Sequence, residues 1–357
     1  MDTHTLPPHS EMLQAFLARD SSYEGVFVTG VSTTGIFCRP TCSARRPLPH
    51  HLSFFATPRD AVLAGYRPCL RCRPLEQTGQ APAWLRPLLS AVEAEPARKW
   101  TDDDVRRHGF SPERVRRWFQ RNHGMTFQAY HRARRLSSAL GAMQEGDSVG
   151  RAAFEAGYDS LSGFQEAFRQ QFGSPPRSLA GAPLVKVTRV ATPLGPMLVG
   201  ATEDALVLLE FVDRRQLAAQ IQRIGRRLGA VFAPDANPLT ERAAGQLRGY
   251  FEGERQRFDL PIGPVGSDFE RAVWDRLLEI PYGETRSYGE IARSVGRPSA
   301  VRAVGRANGM NALAIVIPCH RVVGSDGRLV GYGGGLWRKE RLLAVERGQL
   351  SYGPTTA

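Results

Sequence analysis

The sequence predicts a multidomain α+β protein, and three observations carry that prediction. Two close cysteine pairs lie within the first 72 residues. The stretch 98–180 has helical periodicity and sits between clusters of proline and glycine. The stretch after it opens with short alternating strands and turns helical from Ser267. A length of 357 residues suits two or three domains.

In the first region Cys38 and Cys42 form C-x3-C and Cys69 and Cys72 form C-x2-C, with 26 residues between the pairs. Two pairs so spaced can close a tetrahedral zinc site of four thiolates. The plain reading is a structural site. Four thiolates around Zn²⁺ also carry a formal charge of roughly −2, which keeps a thiolate ionised and nucleophilic at neutral pH. A methylated phosphate, having lost the diester charge that repels an anion, is a suitable target. Gly79-Gln80-Ala81-Pro82 then marks a linker.

The middle region reads as all helix. Thr101 caps a helix through Arg107, and Gly109 ends it. Ser111-Pro112-Glu113 opens a second, with serine at the N-cap and proline at the first helical position. Val115, Trp118 and Phe119 share its inner face. A long helix runs from about Phe127 to Ala142, and the pattern recurs in Val149–Glu155, a turn at Gly157 and a helix near Ser160–Phe172. Each pair is a helix-turn-helix unit. A second linker spans Ser174-Pro175-Pro176 to Gly181-Ala182-Pro183.

The last region begins with strands at Val185–Val190, Pro196–Ala201 and Ala205–Phe211. It ends in an apolar stretch, Leu313–Val323, around the fifth cysteine, Cys319. A lone cysteine followed by His320 is a candidate nucleophile, but a buried cysteine also packs as a small hydrophobe. A thiol-protease pair does not follow from adjacency, because neighbours on a strand face opposite ways. Five cysteines split four and one leave no disulfide framework, so a reducing compartment is expected.

The net charge of +12, almost all from arginine, is spread over all three regions. That favours phosphate-bearing partners. Met1–Ser10 has no signal-peptide character, and the longest apolar run, Leu313–Pro318, is far too short for a bilayer. A cytoplasmic chain is expected, with no membrane partner.

Three resemblances sharpen this reading. Gly109-Phe110-Ser111-Pro112, Phe119, Gly124-Met125-Thr126, Gly157-Tyr158, Phe164, Phe168 and Phe172-Gly173 resemble the AraC-type regulator domain, a double helix-turn-helix. Arg116 and Arg117 then fall where base-reading side chains are expected, with phosphate contact as the other reading. In the second unit Ser162-Gly163-Phe164-Gln165-Glu166 puts a glutamate where a basic reader is common.

Thr33–Cys42, Arg45-Arg46-Pro47, Ser53-Phe54-Phe55 and Arg67-Pro68-Cys69-Leu70-Arg71-Cys72 resemble the amino-terminal domain of the bacterial Ada family. The resemblance implies one zinc on all four cysteines and Cys38 as acceptor of a methyl group from a DNA methylphosphotriester. It also implies DNA contacts from Thr34, Arg45 and Arg67. Ser43 departs from an arginine found in other members.

Ile280–Thr285, Ser287-Tyr288, Arg302–Gly305, Asn308–Asn311, Pro318–Val323 and Gly331-Tyr332 resemble the O6-alkylguanine-DNA alkyltransferases. That family implies a ribonuclease-H-like α/β subdomain followed by a winged-helix-like domain. By the same resemblance Cys319 takes the alkyl group irreversibly from guanine O6. His320 deprotonates it through a water, Glu346 orients His320, and Asn311 supports the turn. Tyr288 rotates the target phosphate and Arg302 fills the gap left by the flipped base. Gly333 stands where several members have a serine.

The division implied is 1–80, zinc-binding methyl acceptor; 81–182, AraC-type helix-turn-helix; 183–263, α/β subdomain; 264–357, catalytic domain. The expected partners are alkylated double-stranded DNA, promoter DNA and RNA polymerase, for a chain acting as a monomer. Two rivals remain open: a repair enzyme whose helical region has no operator, and an alkylation-sensing transcription factor without base repair.

Overall fold

Four bodies follow one another in the computed structural model, which describes residues 6–20, 23, 24, 26–74, 81–350 and 352. The first linker begins outside the described residues, as does the start of the segment Met1–Ser10.

The first body sets α1 (His9–Ala18) against a four-stranded sheet. Its strands are β1 (Val28–Val31), β2 (Ile36–Cys38), β3 (Leu52–Phe55) and β4 (Arg67–Pro68), in the order β3-β1-β2-β4. Met12 and Phe16 of α1 pack on Phe27, Val31 and Leu52. The helix α2 (Pro58–Leu63) starts with Thr57 and Asp60 capping one another, and it delivers the chain to β4. β4 lies parallel to β2, with Ile36 opposite Arg67 and Phe37 opposite Pro68.

The second body is helical throughout: α3 (Arg86–Ala94), α4 (Asp102–Arg107), α5 (Pro112–His123), α6 (Phe127–Gln144), α7 (Val149–Glu155), α8 (Leu161–Phe172) and α9 (Pro176–Leu179). Thr101, Ser111, Thr126, Ser148 and Ser160 each accept a hydrogen bond from a backbone N–H of the first turn. Gly124 and Gly173 end α5 and α8 at φ +70° and +75°, a conformation that costs glycine little. α6 runs through two cores. One holds Trp100, Val105, Val115, Phe119 and Phe127; the other holds Leu136, Leu140, Ala152, Phe164 and Phe168. Every helix expected here is present.

The third body is the sheet β7-β6-β5-β8, formed by β5 (Leu184–Val190), β6 (Met197–Ala201), β7 (Leu206–Phe211) and β8 (Val231–Pro234). β8 is parallel to β5 and the other pairs are antiparallel. It carries α10 (Leu217–Leu228) and α11 (Pro238–Phe251). The fourth comprises α12 (Asp268–Leu278), β9 (Arg286–Ser287), α13 (Tyr288–Ser294), α14 (Val301–Gly309), β10 (Val322–Val323) and α15 (Leu336–Glu346). These last two bodies share one core, in which Phe211, Leu247 and Tyr250 meet Trp274, Leu313, Ile317 and Leu342. The backbone joins them too. Leu209 N–H donates to Ala312 at 2.7 Å and Ala314 N–H to Leu209 at 2.8 Å, which brings β7 alongside the loop before Cys319.

Three consecutive residues of α15 reach three places. Trp337 stacks on Tyr23 of the first body, with centroids 6.5 Å apart and planes 15° from parallel. Arg338 forms a two-pronged pair with Asp213 of the third body, both contacts 2.9 Å. Lys339, fully buried, donates to the carbonyls of Val322, Val330 and Gly331 around the Cys319 segment.

Candidate active site and metal centre

The parallel pairing of β2 with β4 explains the cysteine cluster. It places Cys38 and Cys69, each one step past the paired residues, side by side at the same sheet end, and Cys69 N–H donates to Phe37 at 3.0 Å. A turn closed by Cys42 N–H on Arg39 brings in Cys42, and Arg39 N–H donates to Cys72 Sγ at 3.3 Å. All four sulfurs lie within 4.8 Å of one another, and three of the four residues are buried. Tetrahedral Zn²⁺ with Zn–S of ~2.3 Å requires sulfurs ~3.8 Å apart, so the donor set and its spacing fit zinc.

Without a cation such thiols cannot all ionise. Hydrogen bonds with Cys42 and Cys72, together with burial, push the Cys38 thiol up, while hydrogen bonds from Cys38 and Cys72 pull Cys42 down. When bound, Zn²⁺ supplies the charge compensation that keeps such thiolates ionised at neutral pH. The loop itself is held by Arg39, which donates to Cys72 O at 3.0 Å, Arg73 O at 2.9 Å and the buried Glu24 at 3.1 Å; Thr41 also donates to Glu24. Thr34, Arg45 and Arg67 are exposed on the same body.

The second site forms around Cys319. Pro318 ends the apolar run, and Cys319–Arg321 form a single 3-10 turn rather than a strand. The side chain of Asn311 spans the preceding loop. Its Oδ1 accepts from Leu313 N–H at 2.9 Å, and its Nδ2 donates to Ile317 O at 2.9 Å and to Cys319 Sγ at 3.2 Å. Within that loop Ile315 adopts φ +72°, a strained conformation for a β-branched residue. Asn308 donates to Cys319 O at 3.3 Å.

Burial pushes the Cys319 thiol up to about 11, opposed by the Asn311 amide, which stabilises the thiolate. Burial also lowers His320, which is therefore neutral. Glu346 is held well below its ordinary value: burial alone would raise it, but the hydrogen bonds from His320 and Arg321 and the charge of Arg321 prevail. An ionised carboxylate only accepts, so the 2.7 Å contact puts the proton on His320 Nε2. Nδ1 then carries the lone pair, and it has no partner among the described residues. Cys319 and His320 make no hydrogen bond to one another.

Glu346 accepts five hydrogen bonds. Besides His320 these come from Arg321 Nε at 2.8 Å and Nη2 at 2.9 Å, Tyr250 Oη at 2.9 Å and Gly283 N–H at 3.1 Å. Cys319 lines a cavity of about 490 Å³ with Tyr288, Asn308, Tyr332 and Arg214. Tyr288 stands at the first position of α13 and donates to Val330 O at 3.2 Å. Arg302 is exposed in the first turn of α14.

Thus Asn311, Cys319, His320 and Glu346 converge, with Tyr288 at the cavity and Arg302 outside it. Tyr250, Arg321, Lys339, Glu210 and Arg214 escaped the sequence reading. Only Arg321 carried a signal there, as the residue after Cys-His. In the second body Arg116 is exposed but pairs with Asp102 at 2.9 Å, and Arg117 is exposed. Glu166 accepts from Gln170 at 2.9 Å, along its own helix.

Comparison with known proteins finds four family matches along the chain. Residues 11–75 match the metal binding domain of Ada, and residues 105–181 a helix-turn-helix domain. Residues 185–264 match the ribonuclease-like domain of 6-O-methylguanine DNA methyltransferase, and residues 268–348 its DNA binding domain. The chain is 35% identical over 349 residues to the bifunctional transcriptional activator/DNA repair enzyme Ada of Escherichia coli, covering 93% of this chain and 95% of that one. It is 47% identical over 161 residues to a methylated-DNA–protein-cysteine methyltransferase of Methanosarcina barkeri, covering 45% of this chain and 96% of that one. Among solved structures, Mycobacterium tuberculosis OGT in complex with DNA is 40% identical over 47% of this chain and 95% of that one, with a TM-score of 0.40.

Proposed function

This chain belongs to the Ada family, and from that premise we propose that it takes methyl groups from DNA onto two of its own cysteines and lets one of them control its DNA binding. The observation that carries the reading is Cys319, hydrogen-bonded by Asn311 in a cavity wall beside the His320–Glu346 pair.

O6 of guanine lies within the stacked duplex, so the base must be flipped into the cavity. Arg302 fills the gap it leaves, and Tyr288 turns the target phosphate. His320, oriented by Glu346, takes the thiol proton through a water. The thiolate displaces O6 from the methyl carbon. The product is a thioether, a poor leaving group, so each chain reacts once at this site. Tyr250, Arg321 and Gly283 hold Glu346 in its orienting position.

At the other end Cys38, Cys42, Cys69 and Cys72 hold the zinc, and Cys38 accepts methyl from a methylphosphotriester. Thr34, Arg45 and Arg67 contact the DNA. Methylation removes one negative charge from a centre of roughly −2, which lowers the repulsion from DNA. Residues 81–182 then hold a promoter, with Arg116 and Arg117 reaching the duplex and RNA polymerase as the further partner. Residues 1–80 are the phosphotriester domain, 183–263 the α/β subdomain and 264–357 the catalytic domain of a monomer working in the cytoplasm. The pairing of Arg116 with Asp102, and of Glu166 with its own helix, favours a second reading in which the chain repairs DNA without an operator.

Intact-mass and peptide mapping after incubation with DNA methylated on both phosphate and guanine O6 tests the chemistry. Two methyl groups, one each on Cys38 and Cys319, are expected. Methyl on Cys319 alone removes the switch, and methyl on Cys38 alone removes the base repair. Binding to promoter DNA before and after Cys38 methylation separates the two readings, and unchanged affinity selects repair without regulation.

A further inference from the structure

The α/β subdomain sends a charged pair into the cavity that holds Cys319. Glu210, at the end of β7, is 1% exposed, and Arg214, in the turn after it, has a side chain 7% exposed. Arg214 Nη1 donates to Glu210 Oε2 and, at 3.2 Å, to Asn311 O; Nη2 donates to Gly309 O. A guanidinium has five N–H donors, so the Nε–H and one Nη2 hydrogen have no hydrogen-bond partner among the described residues. Other cations nearby are more fully engaged. Lys339 spends its three hydrogens on three carbonyls, and Arg338 makes four hydrogen bonds to Asp213, Leu194 and Gly334.

The guanidinium also has a reserved place. It lies flat against Gly333, where a Cβ would come within 2.7 Å of its Cζ, 2.8 Å of Nη1 and 3.0 Å of Nε. Any side chain at 333 would displace it. The missing side chain and the arginine arriving from the other subdomain are two halves of one arrangement. Glu210 does nothing for the nucleophile, since a carboxylate here opposes formation of the thiolate. What it does is fix the arginine that stands across the cavity wall.

A fork of two arginine N–H groups matches the O6 and N7 acceptors of guanine, and no other base offers that pair. O6 is also the atom from which the methyl group departs. We propose that Arg214 donates hydrogen bonds to the O6/N7 edge of the alkylated guanine and stabilises the charge that O6 acquires. This rests on the reading of Cys319 as acceptor of the O6 alkyl group. In that step the Sγ–CH3 bond forms as the CH3–O6 bond breaks, and the electron pair of the broken bond stays on the guanine. The proton lost by the thiol ends on the guanine ring, leaving a thioether and an unmodified base. Arg214 transfers no proton; it holds the departing oxygen.

The test uses the full chain in single-turnover transfer from duplex DNA carrying O6-methylguanine or its 7-deaza analogue, which lacks the N7 acceptor. Arg214→Met is expected to slow transfer roughly 10- to 100-fold. The wild type is expected to react several-fold more slowly with the analogue, and Arg214→Met to react equally with both. Gly333→Ser, which pushes the guanidinium aside while leaving residue 214 intact, is expected to show the same indifference to N7. Thermal unfolding and methyl transfer to Cys38 in the same samples report whether each variant is folded. Wild-type speed in Arg214→Met, or an equal N7 penalty in wild type and folded variants, overturns the proposal. A wild type that leaves Cys319 unmethylated instead overturns the reading of the site, and the Arg214 role with it.

Discussion

Glu346 shows how much a single buried carboxylate can organise. It meets five donors from four residues, and one of those, Arg321, is a buried cation that depends on it. Replacing it by glutamine strands that cation, and such losses cost about 3–5 kcal/mol. Glu346→Gln is therefore expected to lower the urea midpoint strongly and to slow transfer to Cys319. The pH dependence has a definite sign. A carboxylate held below its ordinary value contributes stability that is complete above that value, 4.5, and lost as pH falls below it. Urea titrations between pH 6 and pH 2 should show a wild-type advantage over the variant that holds steady down to about pH 4.5 and shrinks below it; a gap that stays constant to pH 2 would contradict the account. Cys319, His320 and Asn311 were legible because they sit in recognisable runs, and Glu346 only through the family resemblance. Tyr250 was not. It reads as one more apolar position on an amphipathic helix, and its hydroxyl meets Glu346 from 96 positions away along the chain.

At the scale of elements, α4 to α8 of the helical body were legible to within a residue or two because each announces itself with a capping side chain, whereas α3 and α9, which have none, were not. The first body was not. Its strands are two to four residues long, too short to display a period, and β4 is only Arg67–Pro68. What the cysteine spacing revealed was the ligand set, not the parallel β2–β4 pairing that assembles it. So small a sheet leans on its metal. Cys69→Ala is expected to drop zinc from one equivalent per chain to none and to abolish transfer from phosphotriesters. Transfer from O6-methylguanine should persist, since the core around Cys319 belongs to the last two bodies. Zinc retained at one equivalent would show that the cluster is not its site.

Across the whole molecule the excess of arginine makes charge the common currency of both sites and both helical units. If methylation acts by removing repulsion, the affinity gap between methylated and unmethylated chains on promoter DNA should be wide at low salt and close as salt rises. Anisotropy titrations at several salt concentrations measure it; a gap indifferent to salt would point to a change of shape instead. The joints between bodies were the least legible part, because a contact between distant segments leaves no mark in local pattern. Trp337, Arg338 and Lys339 are the clearest case, three neighbours answering to three different bodies. That arrangement has an evolutionary consequence. In a chain that kept the catalytic bodies and lost the first, Arg338 and Lys339 would still have their partners, but residue 337 would face no Tyr23 ring. Selection would hold two of the three in place and release the third, so drift at this one position would be the scar by which a separated descendant could be told from a lineage that had always stood alone.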